Sequence, residues 1–121
     1  MDRDLNLVVL AGRLAAPPEV RTFERGSRLV RWLVTTRSEA PERRVDVVPV
    51  TLWDPSDGLV AADVRPGRRI WAAGSVRRRF WSDGAARRSR LEILADRVCL
   101  GQEHASGGEY PLADAEGGDI G

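Results

Sequence analysis

Only one segment of this chain, Ser56–Val64, carries helical patterning; its other apolar residues fall in runs that read as strands. Leu5–Leu14 is rich in branched residues, too short for a helix of its kind, and followed by Pro17 and Pro18. Val20–Phe23 extends it after a bend, and the turn around Gly26 leads into a second strand, Leu29–Arg37. There Val30, Trp32 and Val34 share one face, while Arg31, Thr35 and Arg37 share the other. Val45–Trp53 repeats the pattern, with Val48, Val50 and Leu52 opposite Val47, Pro49, Thr51 and Trp53. Pro49 has no N–H to give a ladder, so this third strand should be bulged or at an edge there.

The helical segment has Ser56 as its N-cap, Asp57 in its first turn, and Leu59, Val60 and Val64 as an apolar stripe; Arg65-Pro66-Gly67 should stop it. Ile70–Trp81 is the fourth strand, bent at Gly74, and Ser82-Asp83-Gly84 turns it into the fifth, Arg88–Leu100. Three strands, a short helix and a hairpin, with glycines where a small barrel must bend, predict an all-β, five-stranded Greek-key barrel of the OB-fold type. The expected domain is 1–100. Residues 101–121 are rich in glycine and acid and are expected to form a disordered tail.

Charge follows the same division. All 19 basic residues are arginine, and all lie in residues 1–100 with 13 of the 18 acids; the other five acids stand in 101–121. A basic body with an acidic end suits a polyanionic partner. Cys99 is the single cysteine, which rules out an intrachain disulfide, and His104 is the single histidine. No His, Cys and carboxylate set has metal-ligand spacing, so neither a metal nor another cofactor is expected, and no catalytic constellation is present. Without an apolar run of membrane-spanning length or a signal-like start, a cytoplasmic protein with no membrane partner is expected.

The stretch Arg77–Arg90, RRRFWSDGAARRSR, concentrates the chemistry. Six arginines and the pair Phe80–Trp81 stand against one acid, Asp83. Guanidiniums follow phosphates and an indole offers a stacking face, a combination suited to bases that are already unpaired. Period two places Arg77, Arg79 and Trp81 on one strand face. Arg87, Arg88 and Arg90 should lie across the hairpin from Arg77–Arg79, and such crowding of like charge favours an anionic ligand. Trp53 and Trp81 read as surface platforms because their strand-mates are polar, and Trp32 as core. Trp71 fits either the barrel or a subunit interface. Phe80, on the face away from Trp81, reads as a cap on the core. Arg13, Arg31 and Arg37 fit either a binding groove or a solvated face.

In this order the segments resemble the bacterial single-stranded DNA-binding proteins over roughly residues 4–100. The resemblance rests on NLVVLAGRLAAPPEVR (Asn6–Arg21), LVRWLVTTR after Gly26, VPVTLW (Val48–Trp53), and above all PGRRIWAAGSVRRRFW (Pro66–Trp81). It implies an OB-fold that assembles as a homotetramer or homodimer and wraps single-stranded DNA in replication, recombination or repair. It also implies that Trp53 and Trp81 are stacking aromatics, with Arg77 and Arg79 as cations beside Trp81. Arg13, Arg31, Arg37, Arg87 and Arg88 complete the expected single-stranded DNA site.

The chain also departs from the family pattern. Usual stacking positions fall on Val47 and Glu39, a usual basic position on Pro49, and the loop Ser38–Arg44 is short. The end DAEGGDIG is acidic but lacks the family's Pro-Phe tip, which recruits partner proteins, so a divergent, short-tailed paralogue is expected. RNA is a variant ligand for such a groove. The alternative of another class is an OB-fold protein-interaction module, a primosome-like adaptor with weak or no DNA binding; the departures at Val47 and Glu39 favour it and the arginine hairpin opposes it.

Overall fold

The computed structural model describes residues 3–101; the acidic segment beyond, with His104, lies outside the described residues. Six strands and one helix follow in order: β1 (Val8–Leu14), β2 (Glu19–Thr22), β3 (Arg28–Ser38), β4 (Arg44–Trp53), α1 (Asp57–Ala61), β5 (Arg69–Asp83) and β6 (Ala86–Leu100). The ladder runs β1-β5-β6-β4-β3, and β1 returns to β3 through Arg13↔Thr35 and Leu14↔Val34, which closes the sheet into a ring. This is the expected five-stranded barrel. β2 pairs with β3 beside the ring, so the first strand is recorded as two, broken at Pro17-Pro18 where no N–H can continue a ladder.

Three features depart from the sequence expectation, besides shifts of one or two residues at other strand ends. The first strand begins at Val8 rather than Leu5, because the side chain of Asn6 takes over the pairing. Its amide donates to the Val76 carbonyl at 2.9 Å, and its Oδ1 accepts from the Val76 N–H at 2.8 Å. The helix ends at Ala61 instead of Val64: the chain is extended from Ala62, and Val64 still reaches the core from outside the helix. Ser56 caps the start as expected, its hydroxyl accepting from the Leu59 N–H at 3.2 Å. Finally, β4 pairs with β3 without a bulge along its whole length and meets β6 at Val50 and Thr51. Pro49 is buried, and β4 is an interior strand, so neither a bulge nor an edge is realised; the strand takes the proline one residue before its short pairing with β6 begins at Val50.

Alternation explains the core. Leu14, Val30, Trp32, Val34, Val50, Ile70, Ala72, Ile93 and Ala95 all point into the barrel, with Val64 added from the loop after α1. Trp32 is the largest of the fully buried side chains, as its alternation with Val30 and Val34 predicts. The ladder β5–β6 shifts register between Ala73 and Gly74. A Cβ at Gly74 would collide with the carbonyl oxygen of Leu94 and the Cα of Ala95, so only glycine lets the two backbones cross this closely. Two rungs beyond that bend, past the pair Val76↔Ile93, the β5–β6 hairpin leaves the barrel and runs on to a two-residue turn at Gly84-Ala85. Gly84 has φ 65°, the positive value that a type II′ turn places at its first central residue.

Candidate nucleic-acid interface

The outward side chains of β3 and β4 form the floor of a groove, and the hairpin forms its wall. Register decides the neighbours: Arg21 of β2, Leu29 of β3 and Trp53 of β4 stand in one row, and Glu19, Arg31 and Thr51 in the next. From the other side β5 and β6 bring Arg77 opposite Glu92, and further out Arg79 opposite Arg90 and Trp81 opposite Arg88. Arg21, Phe23, Arg31, Trp53, Arg77 and Arg79 line a shared groove of about 500 Å³, with Glu92 among them.

Its aromatic surface has two stations. Trp53 is 47% exposed and stacked on Phe23, with ring centroids 5.4 Å apart and planes 29° off parallel. Trp81 is 37% exposed and lies farther along the hairpin. The guanidiniums of Arg79 and Arg90 approach its ring centroid to 6.0 and 5.8 Å. Cationic groups on an aromatic face are attracted by the ring quadrupole, which holds both arginines beside a surface on which a base can stack.

The arginines differ in how free they are. Arg31 is anchored: its side chain is 12% exposed, its Nε donates to Thr51 Oγ1 at 3.4 Å, and Glu19 lies 3.9 Å away. Burial, and next the charge of Arg79, push its pKa below the usual arginine range; Glu92 and Glu19 act in the opposite sense, and Arg90 adds to the lowering. Arg88 shares the face of Trp81 but is bound to Asp83 at 2.9 Å. Arg87 faces the other way and sits 4.9 Å from the ring centroid of Phe80. Arg37 is exposed at the far end of β3, opposite Val45. Arg13 lies beside the loop that precedes β5, where its guanidinium donates to the Gly67 carbonyl at 3.1 Å. The structure thus brings Trp53, Arg31, Arg77 and Arg79 to one groove, with Trp81 and Arg88 on its hairpin extension. Arg13, Arg37 and Arg87 stand apart.

The sequence reading of Phe80 changes here, and that of Trp71 narrows. Phe80 does not cap the core: it is 53% exposed, because β5 past Val76 has left the barrel and no core lies beneath that face. Trp71 is outside the barrel, since its neighbours Ile70 and Ala72 take the inward positions, and the Arg69 guanidinium lies 5.7 Å from its ring centroid. Val47 is exposed, an aliphatic residue on the open part of β4. Glu39 has its charge met by Arg43 at 3.5 Å.

Phe23, Arg21 and Glu92 are groove residues that the sequence reading did not single out. The signal that finds them is strand register, which places β2 beside β3 and Glu92 opposite Arg77. Glu92 is 9% exposed, and its Oε1 has no hydrogen-bond partner. Among the described residues no group of His, Cys, Asp and Glu could hold a metal ion, and no helix is long and apolar enough to cross a membrane.

Comparison with known proteins bears on the same region. Residues 5–100 match the Single-strand binding protein family. The chain is 31% identical over 99 residues to the single-stranded DNA-binding protein of Caldanaerobacter subterraneus, with 78% of this chain and 66% of that protein covered. It is 32% identical over 97 residues to the one from Thermosynechococcus vestitus, covering 78% and 80%. A single-stranded DNA-binding protein 1 from Nostoc is 30% identical over 79 residues, and again 66% of its length is spanned. Among solved structures, the Plasmodium falciparum SSB complex with ssDNA superposes with a TM-score of 0.69 at 19% identity, over 83% of this chain and 96% of that one, a likeness of fold.

Proposed function

This chain belongs to the single-strand binding protein family, and from that premise we propose that its groove binds single-stranded DNA with little regard to sequence. The observation that carries the proposal is the meeting of Trp53, stacked on Phe23, with Arg31, Arg77 and Arg79 in one groove, and of Arg79 with the Trp81 ring farther along the hairpin. Bases would stack on Trp53 and Trp81. Phosphates would follow Arg77, Arg79 and Arg90 along the hairpin, with Arg88 joining once it is drawn from Asp83. Arg31, largely buried and tethered to Thr51, would set the floor. Arg13, Arg37 and Arg87 stand outside this groove and would touch only a strand that wraps farther round the barrel.

No catalytic step is part of this reading; the work is protection and presentation of unpaired strands in replication, recombination or repair. We assign the binding domain to residues 1–100 and treat 101–121 as an acidic tail. Assembly into homotetramers or homodimers in the cytoplasm belongs to the same proposal.

The test is a tryptophan-fluorescence titration with a mixed-sequence single strand, at low and at physiological salt. Binding quenches the exposed indoles and weakens steeply with salt, because each phosphate neutralised by arginine releases counterions. Absence of quenching at low salt, with the protein folded, overturns the proposal. A matching RNA strand titrated alongside reads the preference between the two sugars.

A further inference from the structure

The row of side chains that fills the barrel does not end at Val76↔Ile93. It continues along the hairpin as Arg78↔Leu91, Phe80↔Ser89 and Ser82↔Arg87, on the face opposite Trp81. With no core beneath them, Phe80 and Leu91 are 53% and 52% exposed. Large apolar side chains that share an exposed face mark a contact surface. The rest of the row says what kind. It holds two arginines and no acid; Asp83 and Glu92 belong to the other face. Arg87 sets its guanidinium 4.9 Å from the Phe80 ring centroid, and Arg78 donates to Ser89 Oγ at 3.1 Å. Among the described residues neither Arg78 nor Arg87 forms an ion pair. The arrangement repeats that around Trp81, an exposed ring with guanidiniums seated beside it.

We propose that this second face of the hairpin is a further contact for single-stranded DNA, with a base stacked on Phe80 beside Leu91 and phosphates on Arg87 and Arg78. The proposal rests on the single-stranded DNA reading given above. Charge selects a polyanion, and a ring with a cation at its side offers stacking and phosphate contact within one nucleotide's reach. The new contact is continuous with the groove. Phe80 and Trp81 are consecutive on β5, and the pairing of β5 with β1 ends at Val8↔Gly74, with Asn6 adding Val76. Past Val76 no strand among the described residues covers that edge of β5. A bound strand can therefore cross the open edge from Trp81 to Phe80, so that the hairpin is held on both faces. A short strand fills the groove face alone; a longer one takes both.

The experiment titrates the full chain with mixed-sequence strands of two lengths, about 8 nucleotides, within the site of one OB-fold, and about 30, well beyond it. Both titrations are repeated with Phe80→Ala, Phe80→Tyr and Arg87→Gln. Phe80→Ala should bind the long strand roughly tenfold more weakly, the loss of one stacked base. Phe80→Tyr keeps the ring and should bind it as the native protein does. Arg87→Gln should lower the long strand's salt slope by about 0.7, one phosphate contact. The short strand should bind every variant as it binds the native protein, and the unfolding midpoint should hold because both side chains are exposed. Long-strand binding unchanged in Phe80→Ala overturns the inference and leaves the groove reading standing. If that variant instead changes the assembly state in sedimentation, the face belongs to a second copy of this chain; if it loses binding of poly-glutamate, the face belongs to an acidic protein. Equal weakening of both lengths also overturns the inference, because Phe80 then acts through its neighbour Trp81. If neither length binds the native protein, the single-stranded DNA reading falls and this inference with it.

Discussion

The barrel and the hairpin that grows out of it use the same two strands for opposite purposes. In the barrel, β5 and β6 bury Ile70, Ala72, Ile93 and Ala95 against Trp32 and Val50. Past the pair Val76↔Ile93 they bury little apart from Glu92, and Arg77, Arg78, Phe80, Trp81, Arg87, Arg88 and Arg90 are all exposed. One half is held by apolar contact; the other is held by its ladder and carries like charge on both strands. Stability and binding should therefore separate under mutation, because the residues that supply them are different members of one alternating series.

The sharpest way to break that comparison is to exchange tryptophans. Trp32→Ala empties the centre of the core and should cost about 3–5 kcal/mol of stability, read from the denaturant midpoint. Trp53→Ala with Trp81→Ala should leave that midpoint nearly unmoved, apart from the Phe23 contact. The pair should instead lose about 1–3 kcal/mol of binding for each base no longer stacked. If the double variant binds a mixed-sequence strand as the native protein does, the platforms are elsewhere and the assignment fails.

Gly74 marks the bend two rungs inside that border, and its substitution tests whether the two halves are mechanically joined. Gly74→Ala places a Cβ on the Leu94 carbonyl and the Ala95 backbone, neither of which is a flexible side-chain end. The expected loss is about 1–3 kcal/mol of stability. Hydrogen exchange should locate that loss in β5 and β6 on both sides of the bend. A midpoint within error of the native value would mean that the crossing has room to relax.

The same border separates what the sequence discloses from what it withholds. Trp32 is legible as core because Val30 and Val34 flank it at period two, and Ser56 as a cap because Asp57, Leu59 and Val60 follow it. Arg77, Arg79 and Trp81 are legible as one face by the same count. Alternation says which residues share a face; it does not say whether anything lies beneath that face. Phe80 reads as core by parity with Ile70 and Ala72, and is exposed because the strand has by then left the barrel. The pairing of Phe23 with Trp53 depends on β2 lying beside β3 and β3 beside β4, a register that no local pattern carries. Glu92 is hidden for a related reason. In sequence it is an ordinary acid between leucine and isoleucine, and only the ladder places it across from Arg77.

The smallest effect concerns Arg90, and its value lies in a reversal of sign. Arg79 and Arg90 stand directly opposite each other in the β5–β6 ladder, and both lean on the Trp81 ring. Like charges in that position destabilise a sheet pair, an effect on the order of a few tenths of a kcal/mol at an exposed site, partly offset by the ring. Arg90→Gln should relieve the repulsion and leave the free protein as stable as before, or slightly more so. The same change should weaken DNA binding and lower the salt slope by about 0.7, the contribution of one phosphate contact on a single strand. A stabilised protein that binds less well is the signature of a charge kept for its ligand. If Arg90→Gln lowers the unfolding midpoint and leaves the salt slope unchanged, the arginine is part of the hairpin's own structure, and the division between a stable barrel and a binding hairpin does not hold at that position.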